Sequence, residues 1–230
     1  MSQHWLNIPG NALVIGAGQG IGKATALAFA TGGVSGIVLA GRTQATLSQT
    51  EVEIGAIAAS QGREVKTLIV ITDITKEADV ICLHQEAKEV FRRIDYAANT
   101  AGLLGDDFKP TTSVTATEVN AQLAMNATGF LLCMREAIKM METQEPLSVP
   151  GFHTAERPGI VSAGLLESNN NTPENGLKSV GSVPIRRFST VDEVADVAVF
   201  MCSPRASYIH GMNYVVAGGV GFEQCWSVEA

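Results

Sequence analysis

Seven residues, Gly16-Ala17-Gly18-Gln19-Gly20-Ile21-Gly22, follow the apolar run Ala12-Leu13-Val14-Ile15 and lead into a stretch of helical period over about 21–30. A buried strand that enters a glycine turn and leaves it as a helix restricts the fold more than any other feature of the chain. Glycines at such a turn let the backbone approach a bound group closely, while the free N–H groups and dipole of the helix start face negative charge, as a pyrophosphate carries. The alternative is a merely structural tight turn. Placement between strand and helix favours binding.

The remaining pattern fits that start. Gly32 and Gly33 can end the first helix, because glycine accepts left-handed geometry. Residues 36–40, 65–71 and 94–98 then read as strands, separated by helical patterns over 47–59 and 76–91. Strands alternating with helices give a parallel sheet covered on both faces. A long helix is expected over 116–141. Its run Phe130-Leu131-Leu132-Cys133-Met134 is apolar all round, which predicts burial on more than one side. Residues 192–201 read as a further helix, with Ser189, Thr190, Asp192 and Glu193 suited to its N-terminus. Residues 213–217 read as a last strand, and 222–230 show no period.

Composition narrows the partners. A chain of 230 residues, 46% hydrophobic and 17% charged, suffices for one substantial core, so a single domain over 1–230 is expected. The net charge of −7, with no Lys/Arg cluster, argues against nucleic acid or a membrane surface and for a small diffusible substrate. No basic stretch with an apolar run opens the chain and no run of roughly 18 apolar residues occurs, so a soluble, cytoplasmic protein is expected. Cys82, Cys133, Cys202 and Cys225 are scattered, which reads as buried free thiols and assigns no metal.

Gly16, Gly20 and Gly22 match the Gly-x-x-x-Gly-x-Gly signature of the short-chain dehydrogenase/reductase family, which the chain resembles. Four more matches support this. Asp73 stands where the family has an adenine-contacting aspartate, and Asn99-Thr100-Ala101-Gly102 resembles its Asn-Asn-Ala-Gly motif, which lines the cofactor. Asn126 falls at the asparagine of its proton relay. The run from Ser203 to Gly219 resembles its C-terminal strand, with Ala217 in place of the usual aspartate. The resemblance implies a Rossmann-like, doubly wound, three-layer α/β/α domain. It implies a nicotinamide cofactor held by Gly16, Gly18, Gln19, Gly20, Ile21, Gly22, Arg42, Asp73, Asn99, Ala101 and Gly102.

Charge after the second strand bears on cofactor choice. A carboxylate there would bind the ribose hydroxyls of NAD and repel the extra phosphate of NADP. The sequence is Ala40-Gly41-Arg42, with no acid and a guanidinium able to take a phosphate bidentately. NADP is therefore favoured over NAD, although Gln19 stands where many NADP users carry a second basic residue. An ordinary solvated Arg42 is the alternative.

One block departs from the family. Its reductases protonate the carbonyl oxygen from a tyrosine whose pKa a lysine four residues on lowers, and a serine orients the carbonyl. An unassisted phenol, with a pKa of about 10, serves poorly at neutral pH. Tyr96, Tyr208 and Tyr214 are followed at that spacing by Thr100, Met212 and Gly218. Between 141 and 192 only Ile160-Val161 reads as a strand, so a strand–helix unit on the order of 40 residues is missing before the C-terminal part.

That run has two registers. As the strand before the missing helix, it makes Ser162 the candidate orienting serine. As the strand after it, Ala163-Gly164 replaces the family's Pro-Gly, and Ser168 stands where the family often touches the nicotinamide amide, a spacing that favours the second reading. His153, with Glu156 three residues on, is another group able to donate a proton at neutral pH, though a lone loop histidine is more often simply solvated. Loss of the helix that normally packs beside 116–141, across the family's usual dimer interface, leaves an apolar face, which would find a partner such as a second copy in a homo-oligomer, collapse differently or aggregate. The function implied is an NADP-dependent oxidoreductase acting on a carbonyl or alcohol of a small hydrophobic metabolite, as in secondary metabolism. The alternatives are a non-redox relative, whether a cyclase, an isomerase or a silent nucleotide binder, and an inactive shortened form.

Overall fold

β1 (Asn11–Ile15) is buried along almost its whole length, and it forms the centre of a parallel sheet. The computed structural model describes residues 8–103, 105, 110–145, 147, 159–162, 185, 187, 189–206, 209, 214 and 216, with the backbone alone over 159–162. β2 (Gly36–Gly41) pairs with one side of β1, and β3 (Lys66–Ile71) lies beyond it. On the other side lie β4 (Tyr96–Asn99) and then β5 (Gly159–Ser162), giving the order β3-β2-β1-β4-β5. Ile15 is level with Ala40 on one side and with Asn99 on the other, and Asn99 is level with Ser162. Those strand ends therefore form a common rim.

Side chains alternate across the strands, so successive residues enter different cores. Ala12, Val14, Ile37, Leu39, Tyr96 and Ala98 pack under α1 (Gly20–Gly32) and α2 (Gln44–Ser60). Leu13, Ile15, Val38, Ala40 and Ala97 pack under α3 (Glu77–Phe91) on the other face. The doubly wound three-layer architecture expected from the sequence is present. α1 ends at Gly33, whose φ of 109° places it in the left-handed region, with its N–H on the Phe29 carbonyl.

The helix expected over 116–141 is interrupted. α4 (Ala116–Leu123) starts in a capping box between Thr115 and Glu118, a wide π-type turn follows over Ala124–Gly129, and α5 (Phe130–Met141) resumes the ordinary pitch. The expectation that Phe130 to Met134 would be buried on several sides is not met. Only Cys133 of that run is buried, and Leu131 is 55% exposed. The reason is that α3 covers only the face that carries Cys133, Ala137, Met140 and Met141. Val119, Leu123 and Ile138 are exposed as well.

Beyond α5, the Gln144 side chain acts as a short strand. Its Nε2 donates to the Ile94 carbonyl and its Oε1 accepts from the Ile94 N–H, each at 2.9 Å. Ile94 is thereby taken out of the ladder, and β4 begins at Tyr96 rather than at Ile94. The last described α-helix, α6 (Val191–Cys202), opens in a capping box between Thr190 and Glu193, two of the residues expected at its N-terminus, and it packs against α1. Arg187 adds a two-pronged ion pair to Glu193, and with the Thr190 N–H it pulls the Glu193 carboxyl down to about 2. Cys133 and Cys202 are buried thiols, and burial pushes that of Cys133 up to about 12. Cys82 is exposed, against expectation, because it faces outward from α3 beside Glu86. Cys225 and the strand expected over 213–217 lie outside the described residues. Among the described residues, no helix is long and apolar enough to cross a membrane.

His84 of α3 is buried against α5. Its Nδ1 lies 2.8 Å from the Val80 carbonyl, which can only accept, so Nδ1 carries the proton. Nε2 has no hydrogen-bond partner among the described residues. Burial lowers the His84 pKa, partly offset by the Val80 bond and the Glu136 charge. The folded state thus resists protonating this ring, while the unfolded chain accepts a proton near the ordinary value of 6.5. Stability from the neutral ring should be complete above about pH 6.5 and should fall as the pH drops below it. Melting temperatures measured across this range should show the decline, and His84→Leu should flatten it. An unchanged slope in the variant would place the acid sensitivity elsewhere.

Candidate functional site

The chain passes from β3 over the sheet to β4, so consecutive helices leave the strand ends on opposite faces and a crevice opens between β1 and β4. Such switch points are where open parallel sheets bind ligands. A cavity of about 330 Å³ lies here, lined by Gly16, Gly18, Gln19, Gly20, Ile21 and Gly22 of the glycine turn. Arg42 and Thr43 follow β2 on its wall, Thr72 and Ile74 follow β3, and Thr100, Ala101 and Gly102 follow β4.

Backbone bonds fix the turn. The Ala40 carbonyl at the end of β2 accepts from the N–H groups of both Gly16 and Ala17, at 2.8 and 3.1 Å. The Ile15 carbonyl accepts from the N–H and the hydroxyl of Thr100, at 2.9 and 2.7 Å. α1 then starts so close to the turn that a Cβ on Gly22 would overlap the Gly16 carbonyl and the Thr100 hydroxyl. Glycine is required there by space. The sequence reading omitted Thr100 from the site, although it stands inside the Asn-Thr-Ala-Gly motif. It also omitted Thr43, Thr72 and Ile74 in the loops after β2 and β3, Thr46 in the first turn of α2 and Met125 in the π-type turn, which no motif encodes.

The charge of the cavity is positive. Among the described residues on its wall, Arg42 is the one ionisable side chain. α2 starts beside it without an acidic residue in its first turn, so the helix dipole adds to the guanidinium. Asp73 is not on the wall. Its carboxylate accepts from the hydroxyl and N–H of Thr75, at 2.7 and 3.1 Å. The Thr75 hydroxyl holds its pKa down, and the charges of Lys76 and Arg42 add to the effect. Its neighbours Thr72 and Ile74 form the wall instead.

Asn99 is at the rim, yet its side chain turns away from the cavity. It lies on the α5 side, among Ile15, Phe130, Cys133 and Met134, and neither amide atom has a partner among the described residues. Asn126, in the π-type turn, engages the loop after β4 reciprocally. Its Oδ1 accepts from the Leu103 N–H and its Nδ2 donates to the Leu103 carbonyl, both at 2.7 Å. Ser162 is described only through its backbone, level with Asn99. Its strand occupies the sheet position next to β4. Ser168, His153 and Glu156 lie outside the described residues, as does Tyr208.

A proton-donating tyrosine is not found in the described part of the crevice. Tyr96 is buried in β4, stacks on Phe29 and donates to the Pro9 carbonyl at 2.8 Å. What the described arrangement can do is hold an extended, anionic ligand against backbone N–H groups, with Arg42 at one end.

Comparison with known proteins agrees with this class of doubly wound α/β protein. Residues 10–147 match the family model for short chain dehydrogenases, and residues 155–221 match the model described as enoyl-(acyl carrier protein) reductase. A short-chain dehydrogenase of Penicillium roqueforti is 30% identical over 268 residues, which take in 93% of this chain and 96% of its own. One from Aspergillus ruber is 29% identical, with 93% and 97% covered. Among solved structures, 7α-hydroxysteroid dehydrogenase complexed with NADH and 7-oxo glycochenodeoxycholic acid superposes with a TM-score of 0.76 at 22% identity, covering 96% of this chain and 98% of that one. The Pseudomonas aeruginosa RhlG/NADP active-site complex gives 0.77 at 17% identity, covering 96% and 99%. The chain belongs to the short-chain dehydrogenase family.

The alignment with the Penicillium relative spans 268 positions against the 230 residues of this chain, so the relative carries residues without a counterpart here. The two family models meet between 147 and 155, upstream of β5.

Replacing Asn126 with alanine should release Leu103 and the loop after β4. A loss of about 1–2 kcal/mol in urea unfolding is expected for two hydrogen bonds, with faster exchange of the Leu103 amide. Unchanged exchange at Leu103 would refute the clamp.

Proposed function

We propose that this chain binds NADP(H) in the crevice between β1 and β4, as an oxidoreductase-type protein for a carbonyl or alcohol of a small hydrophobic metabolite. The observation that carries the reading is the conjunction of the glycine turn with Arg42 and an acid-free α2 start around one cavity. The donors on this wall fit the group. Gly16 to Gly22 would hold the pyrophosphate at the start of α1, and Arg42 would meet the phosphate that distinguishes NADP from NAD. Once bound, the nicotinamide supplies a hydride. Similarity to short-chain dehydrogenases of Penicillium roqueforti and Aspergillus ruber supports the oxidoreductase reading.

A second reading rests on a separate observation. No tyrosine of the chain has a lysine four residues on, and Tyr96 is committed to the core. A protein with this crevice and without that pair would hold the nucleotide and transfer no hydride, or would use the bound nucleotide as scaffold. Consumption of NADPH against a panel of hydrophobic ketones and enones separates the two readings.

NADPH should raise the melting temperature of the purified protein. Arg42→Ala should weaken NADPH binding by roughly 10- to 100-fold, the worth of one charge-assisted contact, and leave NADH binding nearly unchanged. Isothermal titration of both nucleotides checks this. Equal losses for the two would refute the Arg42 assignment, and no thermal shift with either would refute nucleotide binding itself.

A further inference from the structure

Thr50 lies in the middle of α2, fully buried, and no sequence motif includes it. Its hydroxyl oxygen is 3.0 Å from the Ala17 carbonyl, 33 residues away in the glycine turn, and 3.1 Å from the Thr46 carbonyl one turn back in its own helix. A hydroxyl has one proton to share between them. The Thr46 carbonyl already belongs to the helix ladder. The Ala17 carbonyl sits in a turn with no ladder to join, so it has the greater need of a donor.

The consequence concerns the peptide between Ala17 and Gly18. In a trans peptide, the carbonyl and the following N–H point in opposite directions. Turning the Ala17 carbonyl toward Thr50 therefore turns the Gly18 N–H away from α2. The Ala17 N–H is separately held by the Ala40 carbonyl, so the residue is anchored on the N-terminal side of the peptide as well. Gly18 lines the cavity, and an added Cβ there would come 2.5 Å from the Thr46 hydroxyl. Glycine lets α2 pack that closely. It also makes a peptide flip cheap, because glycine tolerates both signs of φ. Without an opposing hold, the flipped peptide would present a carbonyl dipole, partly negative, where the unflipped one presents a donor.

We infer that Thr50 is a positioning residue for the nucleotide site. Its hydroxyl holds the Ala17–Gly18 peptide in the orientation that offers the Gly18 N–H to a bound anion. The inference rests on the nucleotide reading above for its ligand, though not for its geometry. Leu47, Thr46 and Thr50 together make the inner face of α2 a buttress for the turn. Thr50 is the member that acts through a hydrogen bond.

The experiment compares Thr50→Val, which keeps the volume and removes the donor, with Thr50→Ser, which keeps the donor and loses a methyl group. NADPH affinity is measured by titration, and the backbone amide of Gly18 is followed by NMR in the free protein. Thr50→Val is expected to weaken NADPH binding by roughly tenfold, the worth of one hydrogen bond, and to shift the Gly18 amide resonance. Thr50→Ser is expected to stay within about threefold of the parent, with the Gly18 resonance near its original position. A purely packing role would reverse the order, with serine the more harmful because it opens a cavity. That order overturns the proposal, as does a folded Thr50→Val protein with parental affinity and an unmoved Gly18 resonance. Should Thr50→Val fail to fold, Thr50→Ala, which also removes the donor, replaces it, and an unmoved Gly18 resonance in that folded variant overturns the proposal. If the parent protein itself binds no NADPH, the nucleotide reading fails alone, and the Gly18 resonance still decides whether Thr50 sets the peptide.

Discussion

Two N–H groups, those of Gly16 and Ala17, share the Ala40 carbonyl at the end of β2. This fork ties the glycine turn to the neighbouring strand at the point where the chain leaves the sheet. From there α1 must start directly over the turn, which is why Gly22 has no room for a side chain. On the other side, Thr100 fastens the Ile15 carbonyl to the loop after β4. The crevice is thus bounded by backbone bonds between three consecutive strands of the sheet. A rigid concave wall of this kind places donors before a ligand arrives, so little ordering cost falls on binding.

Much of this was legible in the sequence because it follows from local rules. The glycine turn between an apolar run and a helical period fixes strand, turn and helix together. Ser189, Thr190, Asp192 and Glu193 marked the start of α6 through capping chemistry and charge. What escaped was what depends on neighbours. Asn99 matches a motif residue, yet strand alternation puts it on the same face as Ala97, toward α5 and away from the crevice. The π-type turn in the long helix has no compositional marker, and with it went the role of Asn126 as a clamp on Leu103. The Phe130 to Met134 run suggested burial on more than one side because hydrophobicity alone does not tell that α3 packs against only one face.

The nucleotide half and the chemical half of the chain differ in how much survives of the family pattern. The turn, the rim of strand ends and Arg42 form a continuous cavity wall. The paired tyrosine and lysine are missing from the sequence, and the aligned relatives carry residues with no counterpart here. The exposure of Val119, Leu123, Leu131 and Ile138 belongs to the same asymmetry, since these residues lie on the long helix beside which the missing unit would pack. Affinity for a cofactor and turnover of a substrate are separable properties in such a chain, because different segments supply them.

Gln144 gives the asymmetry a mechanical side. By pairing both backbone groups of Ile94 with one side-chain amide, it moors the end of α5 to the approach of β4. The mooring lies upstream of residue 147, where the first family match ends. One side-chain amide therefore couples the end of α5 to the start of β4, so that neither can shift along the sheet without breaking two hydrogen bonds.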